Sequence, residues 1–133
     1  MRQITFRAKT LNEGKWVQGM TIANGTIERK KHNLYMEVGN DKWKGVVPDT
    51  IGQYTGVDDI NGKHIFEGDI VHFTFKNLHN QDRNAYVFYK DGEWMCQSSD
   101  RECNPTCLFP GYKAGIFDIE VIGNIYDSPE LLD

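Results

Sequence analysis

Ile70-Val71-His72-Phe73-Thr74-Phe75 places Val71, Phe73 and Phe75 on one face of an extended chain and Ile70, His72 and Thr74 on the other. Its bulky and β-branched residues suit a pleated, half-buried strand. Just before it, Glu67-Gly68-Asp69 has turn chemistry. Just after it, across the polar stretch Lys76 to Asn84, Ala85-Tyr86-Val87-Phe88-Tyr89 repeats the alternation and is the predicted antiparallel partner. Asp91-Gly92 then tolerates the positive φ angles of a two-residue hairpin and leads into Glu93-Trp94-Met95-Cys96. Strand, loop, strand, tight turn, strand: this stretch specifies an antiparallel sheet.

The same period of two recurs on both sides of that stretch. Ile4, Phe6 and Ala8 alternate with polar neighbours, Leu11-Asn12-Glu13-Gly14 turns, and Trp16, Gln18 and Met20 share one face of a return strand. Asn24-Gly25, between Thr21-Ile22 and Thr26-Ile27, predicts a second tight hairpin. Leu34 to Val38 is a further strand ended by Gly39-Asn40-Asp41. Ile51 to Thr55 is a short strand that stops at Gly56, Asp58 to Lys63 is dense in turn formers, and His64-Ile65-Phe66 returns. Near the end, Phe117, Ile119 and Val121 alternate against Asp118 and Glu120, and Ser128-Pro129 opens a short helical turn. No long stretch fits a period of 3.6. The expected fold is all-β, a small barrel-like or SH3-like arrangement of short antiparallel strands with hairpins and at most a short C-terminal helical turn. Residues 1–133 are expected to form a single domain.

Composition bounds the function. A chain of 133 residues buries about two-thirds of its unfolded surface, and 39% hydrophobic residues with three Trp, six Tyr and seven Phe support a packed core. The net charge of -4 sets the overall field against polyanions, although a local basic stripe can still attract one. The N-terminus has no apolar run behind a positive flank, and nothing later resembles a membrane span. The odd set Cys96, Cys103 and Cys107 argues against a disulfide framework and for a reducing cytosol.

Catalytic chemistry finds little support. The three cysteines lack the paired two-to-four spacing of zinc knuckles apart from Cys103 and Cys107, and His32, His64, His72 and His79 are scattered. Asp58-Asp59 and Glu67 with Asp69 lie in turn sequences, where carboxylates cap backbone groups. Ser98, Ser99 and Ser128 occupy no nucleophile elbow, and Gly52 to Gly56 is no phosphate-binding loop. The sequence therefore predicts no enzyme, no metal and no cofactor. The one basic stretch is Arg29, Lys30 and Lys31, with Lys42, Trp43 and Lys44 nearby, where Tyr35 and Trp43 offer stacking faces to unpaired bases.

Ile51-Gly52-Gln53-Tyr54-Thr55-Gly56-Val57, Asp59, Asn61-Gly62-Lys63, Ile65 and Glu67-Gly68-Asp69-Ile70-Val71 together resemble the signature of YopX-type proteins of Gram-positive phages and prophages. Met1, Ile4 and Phe6-Arg7-Ala8 look like that family's opening, and Glu120 to Tyr126 with Pro129-Glu130-Leu131-Leu132 looks like its ending. Leu34 to Trp43 and Lys76 to Tyr112, with the cysteines, carry nothing characteristic of it. The resemblance implies a β-rich phage or prophage accessory protein in a bacterial cytoplasm, and implies no reaction. Within the signature, Gly56, Gly62 and Gly68 fit turns and Asp69 suits backbone donors, whereas Gln53, Tyr54 and Lys63 exceed what a core requires and are candidate surface contacts.

The leading expectation is a non-enzymatic interaction module for a host or phage protein, with Ile70 to Phe75 a liability were it an open edge. The alternative is a nucleic-acid-binding factor using Arg29, Lys30, Lys31 and Trp43. No membrane is expected. Strand edges and exposed aromatics also suit symmetric pairing of copies, which a sequence does not count.

Overall fold

A computed structural model of the chain describes residues 2–26, 32–76, 82–98, 106–107 and 109–132, with the backbone alone at Thr26, His32, Thr106 and Cys107. The chain divides into two compact units, residues 1–54 and 55–133. All-β architecture with hairpins is what forms, in open sheets and not in a closed barrel.

In the first unit, β1 (Phe6–Lys9) pairs with β2 (Trp16–Gly19), Ala8 opposite Val17. The turn between them is tied by Thr10, whose hydroxyl accepts the Lys15 N–H at 3.2 Å. On its other side β1 meets the start of β6 (Gly52–Asp58), Phe6 opposite Gln53. A three-stranded antiparallel sheet follows in the order β3 (Thr21–Thr26), β4 (His32–Glu37), β5 (Trp43–Val46). Ala8, Met36 and Val46 are fully buried, with Phe6, Val17, Ile22, Leu34, Val38 and Ile51 packed around them. Each such side chain contributes about 1.5–3 kcal/mol when fully buried.

Two expectations change here. Asn24-Gly25 makes no turn: β3 runs straight through it, with Asn24 opposite Leu34 and Gly25 opposite Asn33. The strand β5 was not predicted, because Trp43-Lys44-Gly45-Val46 lacks alternation. By contrast Gly39, Asn40 and Asp41 turn as expected, all with positive φ.

In the second unit, β7 (His64–Phe66) pairs with β6. The five-stranded antiparallel sheet runs β11 (Thr106–Cys107), β10 (Glu93–Ser98), β9 (Arg83–Lys90), β8 (Asp69–Phe75), β12 (Phe117–Asn124). A short helix α1 (Phe109–Lys113) precedes β12, and a 3-10 turn at Pro129–Leu132 fulfils the expected C-terminal helical turn. The predicted pairing of β8 with β9 holds, Val71 opposite Ala85, and Asp91 and Gly92 have φ of 53° and 82° in the hairpin. Because β12 covers the other side of β8, with Val71 opposite Val121, the Ile70 to Phe75 segment is interior and no open edge. The core is Ile65, Val71, Phe73, Ala85, Val87, Cys96, Ile119 and Val121, so Cys96 is a buried core side chain.

The signature residues set the loops of this unit. Asp69, 1% exposed, accepts the Phe66 N–H at 2.7 Å. Gly68 has φ of 88°, and a Cβ there would stand only 3.0 Å from Tyr126 Cε2.

Candidate functional site

The alternation of β4 sets which face of the three-stranded sheet Tyr35 occupies. Leu34 and Met36 point into the core, which turns Tyr35 to the opposite face. Around it the neighbouring strands contribute small residues. Ala23 and Gly45 stand directly across from Tyr35, and Gly25 is two residues beyond Ala23 on β3. A Cβ on Gly25 would stand 2.5 Å from Tyr35 Cε2 and 2.6 Å from Cδ2, and one on Gly45 would stand 3.6 Å from Cε1. The ring therefore rests close against the strands flanking β4, in a seat that larger side chains would fill. An open groove of about 200 Å³ lies there, lined by Ala23, Asn24, Gly25, Tyr35 and Trp43. Trp43 is 44% exposed, and its sequence neighbours Lys42 and Lys44 are exposed as well. Glu37, opposite Trp43, is engaged by its own turn, its carboxylate accepting the Gly39 and Asp41 N–H groups at 2.9 and 3.2 Å.

The charge of the chain is divided in the same way. Residues 1–54 hold nine Lys and Arg against five Asp and Glu, a formal +4, whereas residues 55–133 hold six against fourteen, a formal -8. The overall -4 conceals this. A net charge taken over each half of the sequence would have revealed it.

Trp43 thus lies on this aromatic face with Tyr35, while Arg29, Lys30 and Lys31 lie outside the described residues. Of the signature candidates, Tyr54 is buried at 7% exposure, its N–H donating to the Thr5 carbonyl at 2.7 Å. Gln53 is half-buried opposite Phe6. Lys63, in the second unit, is exposed, and its N–H donates to Asp59 at 2.9 Å.

A second polar constellation belongs to the second unit. Asp59, 5% exposed, accepts the Asn61 and Lys63 N–H groups on Oδ1 and the Val121 N–H on Oδ2, each at 2.9 Å. It staples the turn to β12. Asp58 meets His64 Nδ1 at 2.5 Å, and the Tyr112 hydroxyl donates to the Asp58 carbonyl at 3.1 Å. Burial first, and then the carboxylates of Asp59, Asp118 and Asp58, raise the Tyr112 phenol above the ordinary tyrosine value. The neutral phenol is the form the fold favours, so its stabilisation is present below the unfolded value near 10 and is lost as pH climbs through the folded one. Subtracting the alkaline phenolate titration of Tyr112→Phe from that of the parent protein should give a component that titrates above free tyrosine. A component at or below the free value would contradict the arrangement.

Among the described residues, no three of His, Cys, Asp and Glu converge as a metal-holding group. Cys103 lies outside them, and Cys107 is placed by its backbone opposite Met95.

The fold defines a class: an all-β protein of short antiparallel sheets joined by tight turns, two sheet units in one chain. The chain belongs to the YopX protein family, whose model matches residues 5–133. It is also similar to the crystal structure of protein EF1440 from Enterococcus faecalis, with a TM-score of 0.58 and 22% identity over 100% of both chains, a likeness of fold. No match was found among curated proteins. Among the described residues no helix is long and apolar enough to cross a membrane.

Proposed function

We propose that this is a non-enzymatic phage or prophage accessory protein of the bacterial cytoplasm whose first unit binds single-stranded nucleic acid through the Tyr35–Trp43 face. The observation that carries the reading is the coincidence of one groove lined by the exposed Trp43 and the half-buried, glycine-seated Tyr35, with exposed Lys42 and Lys44 on either side of Trp43 in sequence, and the +4 half of a chain whose other half is -8. Unpaired bases stack on aromatic faces at about 1–3 kcal/mol each, and lysines beside them answer the phosphates. A duplex keeps its bases stacked on one another and offers such a face little.

Anisotropy titrations of labelled oligothymidylate and oligouridylate test this. Affinity should fall as salt rises with a log–log slope of about -1.4, as for two phosphate contacts on a single strand, and a duplex should bind more weakly. Tyr35→Ala should weaken binding about 5- to 150-fold. No binding at low salt, or binding indifferent to Tyr35→Ala, overturns the reading.

A protein partner is the second reading, favoured by one observation. β3 is an edge strand, six residues long without proline or charge, to which an extended host or phage polypeptide could add as a further strand. Such binding would withstand high salt, where nucleic-acid binding would not.

A further inference from the structure

We infer that Leu11 makes the Tyr35 seat prefer thymine, by meeting the 5-methyl group of a base stacked on the ring, so that the strand bound is thymine-rich single-stranded DNA. The inference rests on the nucleic-acid reading above and deepens it from a general stacking surface to a choice among bases.

The Tyr35 ring lies across the sheet. Its Cδ2–Cε2 edge reaches the Cβ position of Gly25 on β3, and Cε1, on the opposite edge, comes within 3.6 Å of the Cβ position of Gly45 on β5. With its edges directed at the strands on either side of β4, the ring turns a face outward, as stacking requires. Leu11 stands at the Gly45 edge. Its Cδ1 is 3.1 Å from the same Gly45 Cβ position that Tyr35 Cε1 approaches, so the two side chains converge on one point of one face. Leu11 is 49% exposed, yet its backbone is fixed: its N–H donates to the Gly45 carbonyl at 2.9 Å, and Thr10 beside it bridges to Val46.

A base lying on Tyr35 therefore has an apolar neighbour at its β5 edge. Bases differ in what they can place there. Thymine carries a methyl group on C5, away from its pairing groups, where uracil and cytosine have only hydrogen, and apolar side chains are the contacts that recognise that methyl. No residue lining the groove is charged, so nothing in the seat favours a more polar edge.

The test compares oligothymidylate with oligodeoxyuridylate on the full chain, since the two share a sugar and a backbone and differ by that methyl alone. Burying one methyl is worth about 4-fold in affinity, so the parent protein should bind oligothymidylate about 4-fold more tightly. Leu11→Ala and Leu11→Asn should bring the ratio close to 1 by weakening the thymidylate complex and leaving the deoxyuridylate complex as it was. Leu11→Met, which keeps an apolar side chain of similar volume, should retain the preference. A general folding defect would lower both affinities together and preserve the ratio, so the ratio reads the contact and not stability. Should Leu11→Ala fail to fold, Leu11→Asn decides. A parent ratio near 1, or a parent-like ratio in Leu11→Asn, overturns the inference. Either result with binding still lost in Tyr35→Ala removes only the choice of base, whereas binding of neither oligonucleotide, or full binding by Tyr35→Ala, removes the reading beneath it.

Discussion

Asparagine in place of Asp59 is expected to destabilise the second unit by about 3 kcal/mol, lowering its thermal midpoint by about 12–24 °C. The carboxylate accepts three backbone N–H groups, two on one oxygen and one on the other, at 5% exposure. An amide has a single oxygen. Turned toward Asn61 and Lys63, it points an NH2 at the Val121 N–H; turned the other way, it points that NH2 at both turn donors. Either orientation leaves a buried donor facing a donor, and each unmet buried group costs about 1–3 kcal/mol, more where the lost bond was to a charge. The Val121 bond spans 62 residues, so its loss leaves the turn tied to β12 through the Ile60 N–H, which donates to the Ile119 carbonyl at 3.0 Å. Thermal or denaturant unfolding measures the effect. A variant within about 0.5 kcal/mol of the parent would show that Asp59 is not the staple.

The second large effect is on binding. Gly25→Val should weaken single-stranded nucleic-acid binding as much as Tyr35→Ala does, about 5- to 150-fold, although residue 25 contributes no side chain of its own. A Cβ there would fall 2.5 Å from Tyr35 Cε2, far inside van der Waals contact, so the ring must leave its seat. Backbone strain is not the cause, because Gly25 is extended and the second positive-φ requirement of a tight turn does not arise. The two substitutions remove one platform, so their combination should be no worse than either alone. Additive losses would mean that the ring and the glycine act separately.

That glycine also shows where sequence reading stops. Asn-Gly is read as a turn because glycine reaches positive φ, yet glycine also leaves room above a strand, and at Gly25 the second use applies. Nothing local distinguishes them; the deciding ring, Tyr35, belongs to the next strand. By contrast β8, β9 and β10 were legible because alternation and Asp91-Gly92 are local and agree with one another. That β12 would cover the far side of β8 was not legible, since the pairing joins strands some way apart in sequence. Likewise Asp59 read as a turn former, which it is, but its bond to Val121 appears only once the chain is folded. Of the aromatic face, Tyr35 and Trp43 were readable as stacking residues, whereas the glycine seat of Tyr35 depends on the register in which β3 and β5 pair with β4. The opposed charges of the two units were present in the sequence throughout and vanished only in the average.

The three tryptophans provide the most direct test of the central claim, because Trp16 and Trp43 belong to the first unit and Trp94 to the second. Titrating the 15N-labelled protein with oligothymidylate and following the three indole N–H signals should move the Trp43 resonance first and most and leave Trp94 in place. Movement of Trp94 alone, or no movement of Trp43 at saturating oligonucleotide, would contradict the account.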